Sequence, residues 1–280
     1  MYEQNVSVCA EMVLRMSDPA SSRPKTIATI DGWPVNVADL SEAVTAIVQS
    51  ARRRESFSVF TLNLDHLDKL RRSSRFREAY ANARYITADG APIALLAARQ
   101  GARVARAPGS DLIAPLALAA AQHGVPVYLY GTTADILASA AAHLTKLAGS
   151  DLRIAGFESP RHGFDPEGAE ANEALDRIAA SGAGLCLVAL GAPKQELFAA
   201  HAVERNINVG FVCIGAGLDF LAGAQTRAPA FMQRYGMEWA WRLATNPRRL
   251  VTRYARCALI LAEITLLTPI KERFLRALAG

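Results

Sequence analysis

Residue types suited to acid–base chemistry and ligand binding follow several strand-like runs of this sequence. Asp89 comes directly after the run ARYITA and directly before Gly90, which permits a sharp turn. A carboxylate at the end of a strand can take a proton from an incoming hydroxyl group, so Asp89 is a candidate general base. The alternative is that Asp89 caps the following helix, whose first turn would contain Pro92.

Two polar residues lie in a second candidate segment, TLNLDHL. Thr61 and Asn63 are two positions apart on a predicted strand and therefore share one face. Both need hydrogen-bond partners in an otherwise apolar run, and those partners are either a ligand or the backbone. His66 lies close by in the sequence, and we expect a structural role for it.

The segment LGAPKQE raises an electrostatic question. It places Gly191 at a turn, and Lys194 and Gln195 in the first turn of a predicted helix. A cation is disfavoured there, because the helix dipole has its positive end at the N-terminus. A diphosphate or a sugar at this helix end could bind Lys194, Gln195 and the free backbone amides. Alternatively, Lys194 points into water and Glu196 supplies the favourable charge.

Three further segments follow strands or begin helices. YGTTAD contains Gly131 and Thr132, which suit either a nucleotide or the cap of a helix. GAGLDFLAG contains Asp219 but lacks the GxGxxG fingerprint of dinucleotide-binding proteins. In APGSDL, Ser110 is the predicted cap of a helix whose amides could hold phosphate.

Metal-dependent chemistry is not indicated by the sequence. It contains no DxD motif, no P-loop, no CxxC pair and no HExxH motif. The four cysteines are isolated from one another, which fits a reducing cytosol. We therefore expect neither a metal site nor a cofactor.

Strands and helices that alternate along the chain must position these residues. Strands are predicted at residues 26–30, 58–64, 83–88, 125–131, 152–157, 184–191 and 209–217, and helices include residues 110–123, 133–147, 167–181 and 193–206. This alternation indicates an α/β fold, with a Rossmann-like, mostly parallel sheet flanked by helices. The turn IDGWPV predicts a small hairpin before the sheet. Ligands of such folds bind beyond the carboxyl ends of the strands, where the candidate residues lie.

Composition divides the chain into three predicted regions. Residues 1–25 are predicted to be a flexible leader, because they lack an apolar period and the pattern of a signal peptide. Residues 26–226 form the predicted core. Residues 227–280 contain ten Lys and Arg against three Asp and Glu, a net charge of +7, whereas the remainder has a net charge of −2. This asymmetry indicates a polyanionic partner, either an anionic membrane surface or nucleic acid.

The basic tail also contains aromatic residues and an apolar stretch at residues 257–270 that is too short to span a bilayer. Arginine, aromatic and leucine residues together are typical of a helix in a membrane interface. An ordinary amphipathic helix packed on the core is an equal alternative. Nucleic-acid binding ranks third, because no nucleic-acid motif accompanies the arginines.

Together, these segments resemble the WecG/TagA/CpsF family, glycosyltransferase family 26. The resemblance covers roughly residues 27–256 and rests on TLNLDHL, ARYITADGAPI, APGSDL, LGAPKQE and GAGLDFLAG, followed by TRAPAFMQRYGMEWAWRLATNPRRL. It implies a Rossmann-like core with a C-terminal helical membrane appendage, in a hexosyltransferase that inverts the anomeric centre without a metal. The implied substrates are a nucleotide-sugar donor, expected to be a UDP-sugar, and a polyprenyl-diphosphate-linked sugar acceptor.

The resemblance also implies roles for individual residues. Asp89 matches the family's proposed base, and Thr61, Asn63 and Gln195 match polar residues around the donor. The rest of the predicted donor site consists of Gly131, Thr132, Gly191, Lys194 and Asp219. Residues of the appendage are expected to meet the acceptor diphosphate and the membrane, namely Arg227, Arg234, Arg242, Arg248 and Arg249.

The implied setting is the cytoplasmic face of the inner membrane, where a peripheral enzyme would build exopolysaccharide or another cell-envelope glycan of a bacterium. No nucleic-acid partner is implied, and the formation of a homo-oligomer stays open. The main alternative is a non-enzymatic Rossmann-like module that binds nucleic acid or another polyanion through its tail. An NAD-dependent oxidoreductase is disfavoured by the missing fingerprint.

Overall fold

The protein has a central parallel sheet with helices on both faces. Its structure, a computed structural model, describes residues 23–225, 228–229, 232 and 237–267. A short antiparallel hairpin comes first, formed by β1 (Ala28–Ile30) and β2 (Trp33–Val35). This confirms the hairpin predicted from the turn between these strands.

The main sheet has six strands within the described part of the chain. They are β3 (Phe57–Leu62), β4 (Tyr85–Ala88), β5 (Val127–Gly131), β6 (Ile154–Glu158), β7 (Leu185–Ala189) and β8 (Gly210–Cys213). Their order across the sheet is β4-β3-β8-β7-β5-β6, and every neighbouring pair is parallel. The predicted Rossmann-like α/β class is therefore confirmed.

Helices connect these strands and continue into the tail. They are α1 (Leu40–Arg52), α2 (Leu64–Arg72), α3 (Ser74–Asn82), α4 (Ala91–Arg99), α5 (Gly109–Gln122), α6 (Ala134–Ala148), α7 (Ala169–Ala180), α8 (Lys194–Glu204), α9 (Gly217–Leu221), α10 (Glu238–Thr245) and α11 (Pro247–Ala262). A π-helical turn, Glu263–Leu267, follows α11.

Two apolar clusters hold the helices on opposite faces of the sheet. Side chains of α2, α3, α4, α7 and α8 belong to one cluster, and side chains of α1, α5, α6 and α9 belong to the other. Strand β3 serves both, since Phe60 and Leu62 pack in the first cluster and Phe57 and Val59 in the second. Burial on both faces explains why such strands read as continuous apolar runs in the sequence.

The described part of the tail packs on the core. Helix α11 lies against α2, and Cys257 and Ile260 are buried there. Among the described residues, no helix is both long enough and apolar enough to cross a membrane. The leader residues 1–22 lie outside the described residues, whereas Arg23 donates hydrogen bonds to the carbonyl groups of Tyr80 and Ala81.

At two positions near the carboxyl ends of the strands, the backbones of two segments pass very close to each other. Gly131 ends β5 with a φ of 124°, and a Cβ added to it would lie 2.3 Å from the carbonyl oxygen of Ala189 on β7. At Gly109, which begins α5, an added Cβ would lie 2.7 Å from the carbonyl oxygen of Cys213 on β8. Only glycine fits these two contacts without moving the backbone.

We predict that Gly131→Ala destabilises the protein more than Gly149→Ala. Both residues have a positive φ, but a Cβ at Gly149 would meet no atom within 4 Å. The control should therefore lose only the backbone-strain energy, about 1–3 kcal/mol, and Gly131→Ala should lose an overpacking energy of similar size in addition. Urea unfolding measures both free energies, and equal losses would contradict the close approach of β5 and β7.

Candidate active site

The candidate base lies where β3 and β4 end side by side. The amide Nδ2 of Asn63 donates a hydrogen bond to Oδ2 of Asp89 over 3.0 Å. The other end of the same amide is also fixed, because its Oδ1 accepts the backbone N–H of His66 over 2.9 Å as the N-cap of α2. Asn63 is thus fixed at the start of α2, and its amide group in turn fixes the carboxylate of Asp89.

The structure differs from the cap alternative for Asp89 and from the predicted cap at Ser110. Gly90 occupies the N-cap position of α4, with a φ of 90°, so Asp89 is not the N-cap residue of that helix. Similarly, Pro108 precedes α5, and Ser110 lies inside its first turn rather than at the cap. In both cases the chain turns into the helix at a residue without a capping side chain.

A second polar contact joins the ends of β5 and β8. The hydroxyl group of Thr132 donates to Oδ1 of Asp219 over 3.2 Å, and the backbone N–H of Thr132 donates to the carbonyl oxygen of Ala189 over 2.9 Å. Thr132 has a φ of 30°, which is uncommon for a residue with a branched side chain. The contact brings together Gly131, Thr132 and Asp219, three of the predicted donor-site residues.

A third polar contact joins the ends of β7 and β8 through Gln195. Its Oε1 accepts the backbone N–H of Gly215 over 3.0 Å, and its Nε2 donates to Oε1 of Glu196 over 2.7 Å. A backbone N–H can only donate, so the amide oxygen must face Gly215 and the amide nitrogen must face Glu196. Gln195 is buried, with an exposed fraction of 3%.

The lysine in the first turn of α8 has a partner with a partial negative charge. Lys194 is exposed, and its Nζ donates to the backbone carbonyl oxygen of Phe164 over 2.8 Å. This contact offsets part of the unfavourable interaction with the helix dipole. The neighbouring Gly191 is exposed and turns the chain with a φ of 72°.

Thr61 is buried near the end of β3, and its backbone carbonyl group contacts two buried side chains, those of Tyr80 and His66. Its backbone carbonyl oxygen accepts the hydroxyl group of Tyr80 over 2.7 Å and lies 2.7 Å from Nδ1 of His66. The ring of His66 is 4% exposed and packs edge-on against Phe76. His66 thus has a place in the core, as expected from the sequence.

Glu196 is the residue of this region that sequence reasoning missed. The sequence analysis considered it only in the alternative in which it supplies a favourable charge for the helix dipole, but the residue is completely buried, with an exposed fraction of 0%. Its Oε1 lies 3.9 Å from Nε2 of His66. The only signal in the sequence for a role of Glu196 in the site is its position directly after Gln195, in the first turn of the predicted helix.

Burial shifts the pKa values of this pair in opposite directions. Desolvation lowers the pKa of His66 to about 4, against the raising effect of Asp65. Desolvation also raises the pKa of Glu196 to about 7, although the hydrogen bond from Gln195 opposes the shift. Between these two values both side chains are neutral, so the contact of 3.9 Å is not an ion pair there.

The predicted acceptor arginines are distributed over the tail. Arg242 lies on α10, and Arg248 and Arg249 lie on α11, where Arg248 is exposed. Arg227 and Arg234 lie outside the described residues. Within the described ranges, no group of three or more His, Cys, Asp or Glu residues has the arrangement of a metal site.

The fold and the site define a Rossmann-like α/β protein whose polar residues gather beyond the carboxyl ends of parallel strands. The carboxylate, amide and hydroxyl groups there are those that a hydroxyl-bearing ligand requires. The chain belongs to the WecG/TagA/CpsF family of glycosyl transferases, whose family model matches residues 28–273. Membership implies glycosyltransferase activity in the synthesis of cell-envelope glycans.

We predict that the buried Glu196 makes stability depend on pH. Because its pKa is raised from 4.5 to about 7 in the fold, the native state favours the protonated form. Its contribution is fully present below about pH 4.5 and is lost as the pH rises through about 7. At about 1.4 kcal/mol per pKa unit, a few kcal/mol are at stake.

Glu196→Gln, which is neutral at every pH, should remove this contribution. Free energies of unfolding of both proteins, measured between pH 4.5 and 8.5, give the difference directly. A constant difference across that range would show that Glu196 keeps an ordinary pKa.

Proposed function

We propose that the protein transfers a sugar from a nucleotide-sugar donor, a UDP-sugar, to a sugar linked to polyprenyl diphosphate. The observation that carries this proposal is the hydrogen bond between Asn63 and Asp89 at the carboxyl edge of the sheet. It orients the partly exposed carboxylate of Asp89, the residue that we propose as the base.

The proposed reaction is a direct displacement with inversion at the anomeric carbon. Asp89 takes the proton of the acceptor hydroxyl group as its oxygen attacks the anomeric carbon of the donor. The new C–O bond forms while the bond to the nucleoside diphosphate breaks, and the diphosphate leaves with the electron pair. Asn63 holds the carboxylate of Asp89 in place through its hydrogen bond to Oδ2.

The donor is proposed to lie along the ends of β3, β5, β7 and β8. Thr61, Asn63 and Gln195 would contact the transferred sugar and its surroundings, and Gly131, Thr132, Gly191, Lys194 and Asp219 would line the rest of the donor site. The leaving diphosphate gains negative charge, which backbone amides at helix starts and arginine side chains can stabilise. We propose that these groups act without a metal ion.

The acceptor is proposed to approach from the tail, on the inner face of the cytoplasmic membrane. Several apolar side chains of the described tail are exposed, among them Trp239 at 52% and Leu259 at 71%. Arg227, Arg234, Arg242, Arg248 and Arg249 would attract anionic lipid and the acceptor diphosphate. The enzyme would thus be peripheral and would serve exopolysaccharide or other envelope-glycan synthesis.

The alternative is a non-enzymatic module that binds a polyanion through the tail. It shares the basic charge of residues 227–280 with the first proposal but assigns no role to the contact between Asn63 and Asp89. The oriented carboxylate therefore favours the enzyme. A polyanion-binding module would also gain nothing from a negative group at the sheet edge.

A sugar-transfer assay tests the proposed function. The purified full chain is incubated with a panel of radiolabelled UDP-sugars and a polyprenyl-diphosphate-linked sugar in mixed micelles. We expect label to enter the lipid fraction with one donor, and to do so equally with excess EDTA. Loss of transfer on chelation, restored by magnesium or manganese, would refute metal independence. No transfer with any donor, together with tight oligonucleotide binding, would favour the alternative.

We predict that Asp89→Asn lowers turnover by about 100-fold or more, a common contribution of a general base. Asparagine has nearly the same shape and can still accept the hydrogen bond from Asn63, so the fold and donor binding should survive. Initial rates and calorimetric donor binding measure the two effects separately. Asp176→Asn, on the exposed side of α7, is the matched control and should behave as the wild type. Near-normal turnover of Asp89→Asn would exclude this residue as the base.

We predict that Leu259→Glu weakens binding to anionic vesicles, whereas Leu118→Glu does not. Both leucines are exposed, at 71% and 42%, but Leu118 lies on α5 of the core. Flotation with vesicles that contain phosphatidylglycerol measures binding of the full chain. High salt should release the wild type, since exposed charges are screened beyond about 8–10 Å at physiological ionic strength. Equal flotation of both variants would contradict a membrane role for the tail.

A further inference from the structure

Glu196 occupies an unfavourable environment for a carboxyl group. It is completely buried on the core side of α8, and Gln195 donates to its Oε1 over 2.7 Å. Its Oε2 is buried without a hydrogen-bond partner in the described part of the chain. A buried polar atom without a partner destabilises the fold, so its presence calls for a reason other than stability.

Helix capping does not supply that reason. Glu196 is the third residue of α8, the position from which a glutamate can reach back to the backbone N–H of the N-cap residue. The N-cap residue here is Pro193, which has no N–H. The side chain instead turns inward, toward the amide of Gln195 and the ring of His66.

The ring of His66 presents an unprotonated nitrogen to this carboxyl group. Its Nδ1 lies 2.7 Å from the carbonyl oxygen of Thr61 and 2.6 Å from the hydroxyl oxygen of Tyr80, which donates its own proton to the same carbonyl group. With the Tyr80 proton placed there, Nδ1 faces two acceptors and carries the ring proton. In this neutral tautomer Nε2 has a free electron pair, and it lies 3.9 Å from Oε1 of Glu196. A negative carboxylate opposite that electron pair is disfavoured, whereas a neutral carboxylic acid is tolerated.

These contacts connect the segment after β8 with the end of β3, on opposite sides of Glu196 in the candidate site. From Gly215, in the turn after β8, hydrogen bonds lead through Gln195 to Glu196. From there the His66 ring leads to the carbonyl group of Thr61 on β3. We infer that Glu196 is a positioning residue that fixes the side-chain amide of Gln195 for donor binding by accepting its Nε2–H group. This inference rests on the proposed sugar transfer, in which Gln195 contacts the donor.

The inference predicts a pH dependence of its own. Groups that face Glu196 include His66, Asp65 and Lys69 from α2, Tyr80 from α3 and Cys213 from β8. Burial raises the pKa of Glu196 to about 7, so the carboxyl group becomes negative above that pH while the neutral His66 ring supplies no compensating charge. An ionised Glu196 would be a buried charge without compensation, so the carboxylate should move toward water or Lys69 and draw the amide of Gln195, which donates to it, out of its binding position. Transfer should therefore fall as the pH rises.

The first experiment observes Gln195 directly and requires no activity. The protein is labelled with ¹⁵N-glutamine, and Gln195→Ala identifies the side-chain resonances of Gln195. We expect these resonances to titrate near pH 7 in the wild type and not in Glu196→Gln, whose amide oxygen still accepts the hydrogen bond. Glu196→Leu should move them toward the positions of exposed glutamines. Resonances that stay fixed from pH 5.5 to 8.5 and are unchanged in Glu196→Leu would overturn the inference.

The second experiment compares transfer kinetics from pH 5.5 to 8.5. For Glu196→Leu we expect kcat/KM to fall by about 10-fold or more, mainly through a higher KM for the donor. Glu196→Gln should recover most of kcat/KM and should not show the decline of the wild type above pH 7. Ile47→Ala, fully buried on the opposite face of the sheet, controls for loss of stability.

The outcomes separate this inference from the proposed function. A wild type that transfers no sugar at any pH refutes the proposed function, and the resonances of Gln195 then decide the positioning role alone. A wild type that transfers sugar refutes the inference if Glu196→Leu loses no more kcat/KM than Ile47→Ala at equal folded fractions. Identical pH profiles of the wild type and Glu196→Gln would refute it as well.

Discussion

Parallel pairing of β8 between β3 and β7 is the constraint on which the candidate site depends. β8 is the last strand of the sheet in the sequence but lies in its centre. Its register sets Val212 opposite Val59 of β3 and Cys213 opposite Val188 of β7, so the three strands end at nearly the same level. A slip of one residue would turn every side chain of β8 to the other face. The segment after β8 reaches the segments that follow β7 and β5, with Gly215 at Gln195 and Asp219 at Thr132.

Much of the fold could be predicted from the sequence, because buried parallel strands leave an unambiguous apolar signal. The run from residue 184 to 191 contains β7, and the run from 125 to 131 contains β5. The end of β3 was less exact, since the predicted strand extends to residue 64 whereas the chain leaves the sheet at Leu62. Asn63 explains the difference, because its side chain caps α2 and starts the helix earlier than hydrophobicity alone suggests.

The contacts of the site could not be predicted in the same way, since they depend on the order of the strands in space. Asn63 and Asp89 were both candidates, and their separation of 26 residues in sequence says nothing about a hydrogen bond. Lys194 donates to a backbone carbonyl group in a loop, and no pattern of side chains in the sequence predicts a backbone partner of this kind. Glu196 is the clearest case, because a glutamate in the first turn of a helix normally indicates exposure and a favourable dipole interaction. Its burial follows from how α8 packs on β3 and β8.

Helix α2 links the site to the tail, and this link divides the tail arginines into two groups. Arg253 of α11 binds Asp65 over 3.0 Å, and Lys69 pairs with the same carboxylate. Burial alone would raise the pKa of Asp65, but these two cations hold it below its usual value. Arg253 cannot turn away to a lipid phosphate without removing one of the two cations that compensate the largely buried carboxylate of Asp65. The proposed contact with membrane and acceptor must therefore use the outward-facing cations, such as Arg248, while Arg253 keeps α11 on the helix that Asn63 begins.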